Sequence, residues 1–350
     1  MTDRMPDSLL DAKKLAAYLR EHNLPPLHRF GQHFLIDEEV LQAIVDASAT
    51  DPTIPVMEIG AGLGVLTRAL AREREQRAGD RGQGATPLIA VELDRRLIPL
   101  LKERTKEYPS VHVVHADILK LPVSSLLPAP WPLSPHGYDV IGNIPYNITA
   151  PILKKFLTPT FATSRGSYRD SEKNIGVPRS LGEGGRASVG VADHLEREKS
   201  APPRPRQMTL LADQSVAEAI AATPPHMSIR AISVQVFAEP TVVRASIPPS
   251  AFLPPPEVSS AILLLHTRPE PLVNSAEESR FFRLVRAGFS QKRKTLANAL
   301  AATYRIPAEA TAKRVREAGI DPSRRAQTLS IPEWIQLLKS WEAPDAPRAP

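Results

Sequence analysis

The hydrophobic pattern changes period along the chain, and each change marks an element. Leu9, Leu15 and Leu19 recur with helical spacing over Ser8 to Glu21, with Ser8 as N-cap, and Asn23 to Pro26 ends that helix. From about residue 54 the pattern becomes strand, turn, helix. PVMEIG, LIAVEL, VHVVHAD and YDVIGN read as short apolar strands, and Leu63 to Arg72 and Arg95 to Glu107 as helices between them. Such alternation predicts an α/β fold with a parallel sheet covered on both faces. Ligand sites in these sheets lie at the carboxyl ends of the strands.

The rhythm breaks over residues 162–207, which are rich in Gly, Ser, Pro and charge and poor in large apolar residues; an insertion without a packed core is expected there. Glu73 to Thr86 reads as a smaller insertion. Periodicity returns with MTLLADQSVAEAIAA and AISVQVFA, then a proline-rich turn, IPPSAFLPPPEVSS, and the strand AILLLHT. Glu277 to Trp341 reads as wholly helical. The expected organisation is an N-terminal helical extension (1–26), a main α/β domain (27–268), a smaller all-helical domain (269–342) and a flexible tail (343–350).

Composition narrows the chemistry. At 350 residues the chain can bury two cores, and many of its 36 prolines fall at the joints. The absence of cysteine excludes disulfides, Cys-ligated zinc and thiolate nucleophiles, and with them pyrimidine C5 methylation by an attacking thiolate. No donor set suggests a metal. No apolar run is long enough to cross a bilayer, and MTDRMPDSLLDAKK lacks secretory and transit features, so a soluble, cytoplasmic protein is expected. The net charge of +6 permits a nucleic-acid partner without requiring one.

EIGAGLG, Glu58 to Gly64, follows a strand and opens a helix, so its glycines let the backbone approach a ligand closely. The spacing of Gly60, Gly62 and Gly64 is neither that of a dinucleotide-binding loop nor that of a P-loop, which argues against phosphate. Glu92 closes the second strand and Asp117, beside Ile118, the third. A carboxylate can hold a ribose diol. Acids at strand ends also cap helices, and Asp94 is the better-placed cap, leaving Glu92 for the ligand. Glycine loop and acids together point to S-adenosylmethionine.

GNIPYNIT, Gly142 to Thr149, ends the fourth strand in a sharp turn. An exocyclic aromatic amine is a poor nucleophile until its lone pair is localised at nitrogen, which two acceptors on its N–H bonds achieve. Asn143 offers a side-chain carbonyl and Ile144 a backbone carbonyl. Pro145 has no N–H and a fixed φ, and Tyr146 offers a face for a flipped-out base.

These motifs, with RFGQHFLID, VELDRRL, HADIL, AFLPPPEVSSAILLL and FSQKRKTLANAL, resemble the ribosomal RNA adenine N6,N6-dimethyltransferases, most closely the small-subunit, KsgA-type enzymes, over roughly residues 29–300. The resemblance implies a Rossmann-like S-adenosylmethionine-dependent domain and two successive methylations of adenines in small-subunit rRNA, within an immature small ribosomal subunit. It places His33 and Leu35 over the cofactor, Gly60 at its methionine end with Gly62 also in the cofactor site, Glu92 on the ribose, Asp117 at the adenine, and Asn143 between cofactor and target. Position 33 is more often asparagine in the family. Phe252 becomes the second stacking face opposite Tyr146, although from the residues alone it is a core position.

Lys292, Arg293, Lys294, Arg324 and Arg325, in the helical part, are expected to contact RNA phosphates. Two segments depart from the family pattern: DQSVAEA, Asp213 to Ala219, where a stretch like QKEVADR is usual, and Arg230-Ala231 where Gly-Arg is usual. Competing readings are a large-subunit (23S) adenine N6-methyltransferase of the macrolide-resistance type and a non-catalytic small-subunit assembly factor. A monomer is expected.

Overall fold

In the computed structural model, residues 7–26, 31–48, 51–122, 137–158 and 204–341 are described. The chain begins with a 3-10 turn, Ser8–Leu10, and helix α1 (Ala12–Glu21), followed by β1 (Phe34–Leu35), α2 (Glu38–Ser48), β2 (Val56–Ile59), α3 (Val65–Asp80), β3 (Leu88–Glu92), α4 (Ile98–Thr105), β4 (Val111–His115) and β5 (Asp139–Asn143). Then come α5 (Thr149–Leu157), β6 (Gln207–Asp213), α6 (Gln214–Ala221), α7 (Ile229–Gln235), β7 (Ala238–Ile247), β8 (Phe252–Leu253) and β9 (Ser260–Thr267). The C-terminal part holds α8 (Ser275–Phe289), α9 (Leu296–Tyr304), α10 (Ala308–Glu317) and α11 (Ile331–Trp341).

Seven strands form one sheet in the order β4-β3-β2-β5-β6-β9-β7, with β9 alone running opposite to the other six. The central strands β2 and β3 are buried along their whole length, as a parallel sheet covered on both faces requires. Successive strands step away in opposite directions from β2 and β5, so their following loops part. A crevice opens there at the carboxyl ends.

One hydrophobic cluster fills the sheet face bearing Met57, Ile89 and Val140 and continues without a break into Phe281, Leu300 and Trp334 of the C-terminal helices. The other face, with Val56, Leu88 and Ile141, packs against Ile44 and Leu70 of the covering helices. Each fully buried Leu or Ile contributes about 1.5–3 kcal/mol relative to exposure.

Three boundaries differ from the sequence reading. Asp7 and Asp11, not Ser8, cap the first two turns, accepting the N–H groups of Leu9 at 3.0 Å and Lys14 at 2.9 Å. Helix α3 runs through most of the stretch that reads as a small insertion. The reason is Arg74, fully buried despite its charged surroundings, whose guanidinium donates to the carbonyls of Asp51 (3.1 Å), Ile54 (2.9 Å) and Thr86 (3.1 Å). The long insertion falls outside the described residues up to 203, but its last four residues belong to the fold: Arg206 pairs with buried Asp139 at 2.7 Å, and Gln207 starts β6. The tail lies outside the described residues.

Candidate active site

The loop after β2 is shaped by its glycines. Gly60, Gly62 and Gly64 have φ of 75°, 58° and 80°, left-handed values that L side chains rarely adopt. The amides of Gly60 and Ala61 both donate to the Val91 carbonyl, at 2.9 and 3.1 Å, which ties the loop to the end of β3. A Cβ on Gly60 would lie 3.4 Å from the Asn143 carbonyl, so the ends of β2 and β5 approach closely at the topological switch. Above them lies a cavity of about 310 Å³.

Three acids line this cavity, and among the described residues no Lys or Arg does. Glu92 accepts the Gly62 N–H on Oε2 and the Asp94 N–H on Oε1, both at 2.7 Å, so its carboxylate plane is fixed. Burial pushes its carboxyl above the ordinary value, and the two backbone donors pull it down. Glu58, 1% exposed, has an Oε2 that no partner reaches. Burial raises its carboxyl from 4.5 to about 8, opposed by the nearby Thr67 hydroxyl and reinforced by Glu92. Asp117, half-buried, accepts the Leu119 N–H at 3.0 Å, with Ile118 in the wall beside it. Asp94 caps no helix; it holds Arg96 and the Gln32 amide instead. Three acids with no Lys or Arg among the described lining residues, although exposed Lys120 approaches Asp117 at 3.5 Å, suit a cationic ligand and repel a pyrophosphate.

Opposite the glycine loop, β1 pairs with β8, placing Phe34 against Leu253 and Leu35 against Phe252. This short ribbon hangs His33 and Leu35 over the cavity. The Asn143 amide donates from Nδ2 to the His33 carbonyl at 3.0 Å, which sets the side of the amide plane on which Oδ1 lies. Ile144 is buried beneath, and Pro145 packs close to Gly31, where a Cβ would come within 3.1 Å. Tyr146 bonds through its hydroxyl to Ser260 Oγ at 2.5 Å, and burial raises its ionisation above the ordinary value, so the ring stays neutral.

Comparison with known proteins agrees with this geometry. The chain matches the family model described as ribosomal RNA adenine dimethylase over residues 27–342. It belongs to that family. Among curated relatives, a ribosomal RNA small subunit methyltransferase A of Dehalococcoides mccartyi is 32% identical over 332 residues, covering 95% of this chain and 93% of the relative. One of the same name from Shouchella clausii is 32% identical, covering 92% and 91%. In fold the chain is similar to 23S rRNA methyltransferase ErmE (TM-score 0.60, 22% identity, 89% of this chain and 100% of that one). A dimethyladenosine transferase from Plasmodium falciparum gives a TM-score of 0.59 at 22% identity, covering 88% and 97%.

As a member of the rRNA adenine dimethylase family, the chain uses S-adenosylmethionine, and the cavity fits it: a cationic sulfonium would meet acids on the walls, among them an unpartnered carboxyl oxygen. The structure gathers His33, Leu35, Gly60, Gly62, Glu92, Asp117, Ile118, Asn143, Ile144, Pro145 and Tyr146 around this one space. It does not bring Phe252 there. That ring is 2% exposed, packed in the core cluster behind β1, where strand pairing with Leu35 holds it.

The basic residues also divide. Lys292, Arg293, Lys294 and Arg325 are exposed, whereas Arg324 is partly buried, paired with Glu333 and bonded to Thr328. Its carbonyl accepts the Leu296 N–H at 2.7 Å, so the Lys292–Lys294 loop and Arg325 lie on adjoining turns. Of the departures from the family pattern, Asp213 caps α6 through Ser215 N at 2.7 Å, and Ala231 is fully buried beside exposed Arg230.

Sequence reasoning missed Glu58, Ser260, Leu9 and Leu15. A lone acid within the apolar strand VMEI is a signal for the first; nothing local announces the others. Leu9 and Leu15 reach the cavity wall because Asp7 is clamped by Arg104 at 2.7 Å and Arg68 at 3.1 Å.

Proposed function

We propose that the chain dimethylates adenine N6 in small-subunit rRNA, acting on an immature small subunit as a monomer. The observation that carries the reading is the Asn143 amide, fixed by the His33 carbonyl beside the Tyr146 ring at the floor of an acid-lined cavity. Family membership supports the reaction, and the small-subunit names of relatives covering more than nine-tenths of this chain support the substrate.

S-adenosylmethionine, when bound, supplies a methyl group made electrophilic by its sulfonium sulfur. The residues prepare the other reactant. Tyr146 offers a neutral ring for a base taken out of its stack. In the first transfer Asn143 Oδ1 and the Ile144 carbonyl would accept the two N–H bonds of the amine, drawing its lone pair out of conjugation and towards the cofactor side; in the second, one of them would accept the single N–H that remains. The amine becomes cationic as the new N–C bond forms and the methyl's bond to sulfur breaks, leaving a neutral thioether, and it then loses a proton to solvent, so no general base is needed. Leu35, Ile118 and the leucines of the N-terminal turn keep the walls apolar around the acids, which strengthens the acids' interaction with a cation. Lys292, Arg293, Lys294 and Arg325 position RNA through phosphates.

The test is nucleoside mass spectrometry of small-subunit particles lacking the modification, incubated with the protein and S-adenosylmethionine beside an Asn143→Ala control. N6,N6-dimethyladenosine is expected with the intact protein alone. Methylation confined to large-subunit RNA would overturn the substrate assignment.

A further inference from the structure

We propose that Asp94 and Gln32 are positioning residues that hold the Asn143 amide in place from the opposite side of the cavity, a role that rests on the function proposed above. Asp94 lies two residues past β3, is 3% exposed and does not line the cavity. It reaches the site through other groups. Its N–H donates to Glu92 Oε1 at 2.7 Å, and its Oδ2 accepts the Gln32 side-chain amide at 3.0 Å. The residue after Gln32 is His33, whose carbonyl accepts Asn143 Nδ2 at 3.0 Å. One path of hydrogen bonds thus joins the acid at the end of β3 to the amide at the end of β5.

Between those two strands in the sheet lies β2. The segment from Gln32 to Phe34 crosses its end, where a Cβ on Gly62 would meet the Phe34 ring at 3.6 Å. Little sheet structure holds this segment, because β1 has two residues and pairs only with β8. A two-stranded ribbon is marginal by itself, so the His33 carbonyl depends on side-chain anchors for its place. Asp94 is a rigid anchor: Arg96 donates to both its oxygens, from Nε to Oδ1 at 3.0 Å and from Nη2 to Oδ2 at 2.7 Å. Without the Gln32 bond the segment can drift, and the Asn143 amide turns with the carbonyl it follows. Misplacing a reacting group by about 1 Å costs up to about 100-fold in rate.

The test is a double-mutant cycle on the full chain. Gln32→Ala, Asp94→Ala and Asn143→Ala are made singly, and each of the first two is combined with the third. Methylation of unmodified small-subunit particles is read as kcat at saturating S-adenosylmethionine, because Gln32 also lines the cavity and a weakened cofactor affinity must not enter. With Asn143 present, Gln32→Ala and Asp94→Ala should each lower kcat roughly 10- to 100-fold. In the Asn143→Ala background each should change it by about twofold or less, since the amide they position is gone. Equal losses in both backgrounds overturn the proposal, as does a Gln32→Ala protein with wild-type kcat. Gln32→Ala leaves the Asp94–Arg96 pair intact, so it decides alone if Asp94→Ala does not fold. A readout without turnover is the Asn143 side-chain amide resonance in 15N-asparagine-labelled protein, assigned by its loss in Asn143→Ala. It should move towards the position of a solvent-exposed amide in Gln32→Ala, and an unmoved resonance overturns the proposal. Wild-type protein that leaves the particles unmodified overturns the parent function instead, and the wild-type arm reveals this on its own.

Discussion

The Gly62 amide donates to Glu92 beside the cavity at 2.7 Å, so the glycine loop and the acid that faces it are one hydrogen-bonded unit. With the Asp94 amide on the other oxygen, the carboxylate cannot rotate, and its remaining lone pairs are aimed without further ordering cost.

Glu92→Gln should therefore do more than remove a charge. Its NH2 group must face one of two backbone N–H donors, so a bond becomes a repulsion whichever way the amide turns. A lost charged hydrogen bond is worth about 1.5–3 kcal/mol, so S-adenosylmethionine affinity should fall roughly 10- to 100-fold by calorimetry. Affinity equal to wild type would mean that Glu92 shapes the loop and does not touch the ligand.

Asn143→Ala should separate chemistry from binding. Removing one preorganised acceptor costs about 10²- to 10³-fold in comparable sites, so kcat should fall by that order while cofactor affinity changes much less. Asn143→Asp should be no better, because a carboxylate oxygen would replace the donor now facing the His33 carbonyl. Single-turnover methylation with bound labelled cofactor distinguishes the two effects. A variant with intact kcat and raised KM would place Asn143 in binding alone.

The parts of this design that lie within one short segment were readable from the residues. Strand ends, the glycine loop, Glu92 and the NIPY turn each carry their signal in consecutive positions, because sheet edges and tight turns restrict residue type locally. What was not readable depends on distant partners. Arg74 lies in a run, REREQRAGD, that looks solvated, and only carbonyls supplied by residues 51, 54 and 86 turn it into a buried anchor for α3. Phe252 lies away from its expected place because the β1–β8 pairing buries its ring in the core behind β1. Arg324 reads as an RNA contact until Glu333, on the last helix, claims it.

The clamp on Asp7 carries its own expectation. Asp7 pairs with Arg104 and Arg68 and its side chain is 9% exposed, so Asp7→Ala takes one partner from each guanidinium, leaving Arg104 on the Leu63 carbonyl and Arg68 on Glu107, and loosens the turn that carries Leu9. A stability loss of about 1–3 kcal/mol is expected, discounted from a fully buried pair because Arg68 is partly exposed. Since Leu9 and Leu15 wall the cavity, cofactor dissociation should also quicken. Chemical denaturation and stopped-flow release measure the two. Unchanged release with reduced stability would make the clamp purely structural.

Glu58 gives the protein a pH dependence of definite sign. In the folded state its carboxyl holds a proton to about pH 8, whereas in the unfolded chain it ionises near 4.5. Between these values the folded state binds more protons, so this group's contribution is fully present below about pH 4.5 and declines as pH rises towards 8. The slope is at most about 1.4 kcal/mol per pH unit. Glu58→Gln keeps a neutral, isosteric group and lacks the decline. The stability of the variant relative to wild type should therefore rise steadily from pH 5 to 8 in denaturant titrations of the cofactor-free protein. Cofactor binding should reveal the same group from the other side. A sulfonium in the cavity favours the ionised carboxylate, so wild-type affinity should tighten as pH rises through this window, while that of Glu58→Gln stays flatter. Parallel stability curves for the two proteins would show that Glu58 is ionised in the fold and that its neighbours compensate the charge.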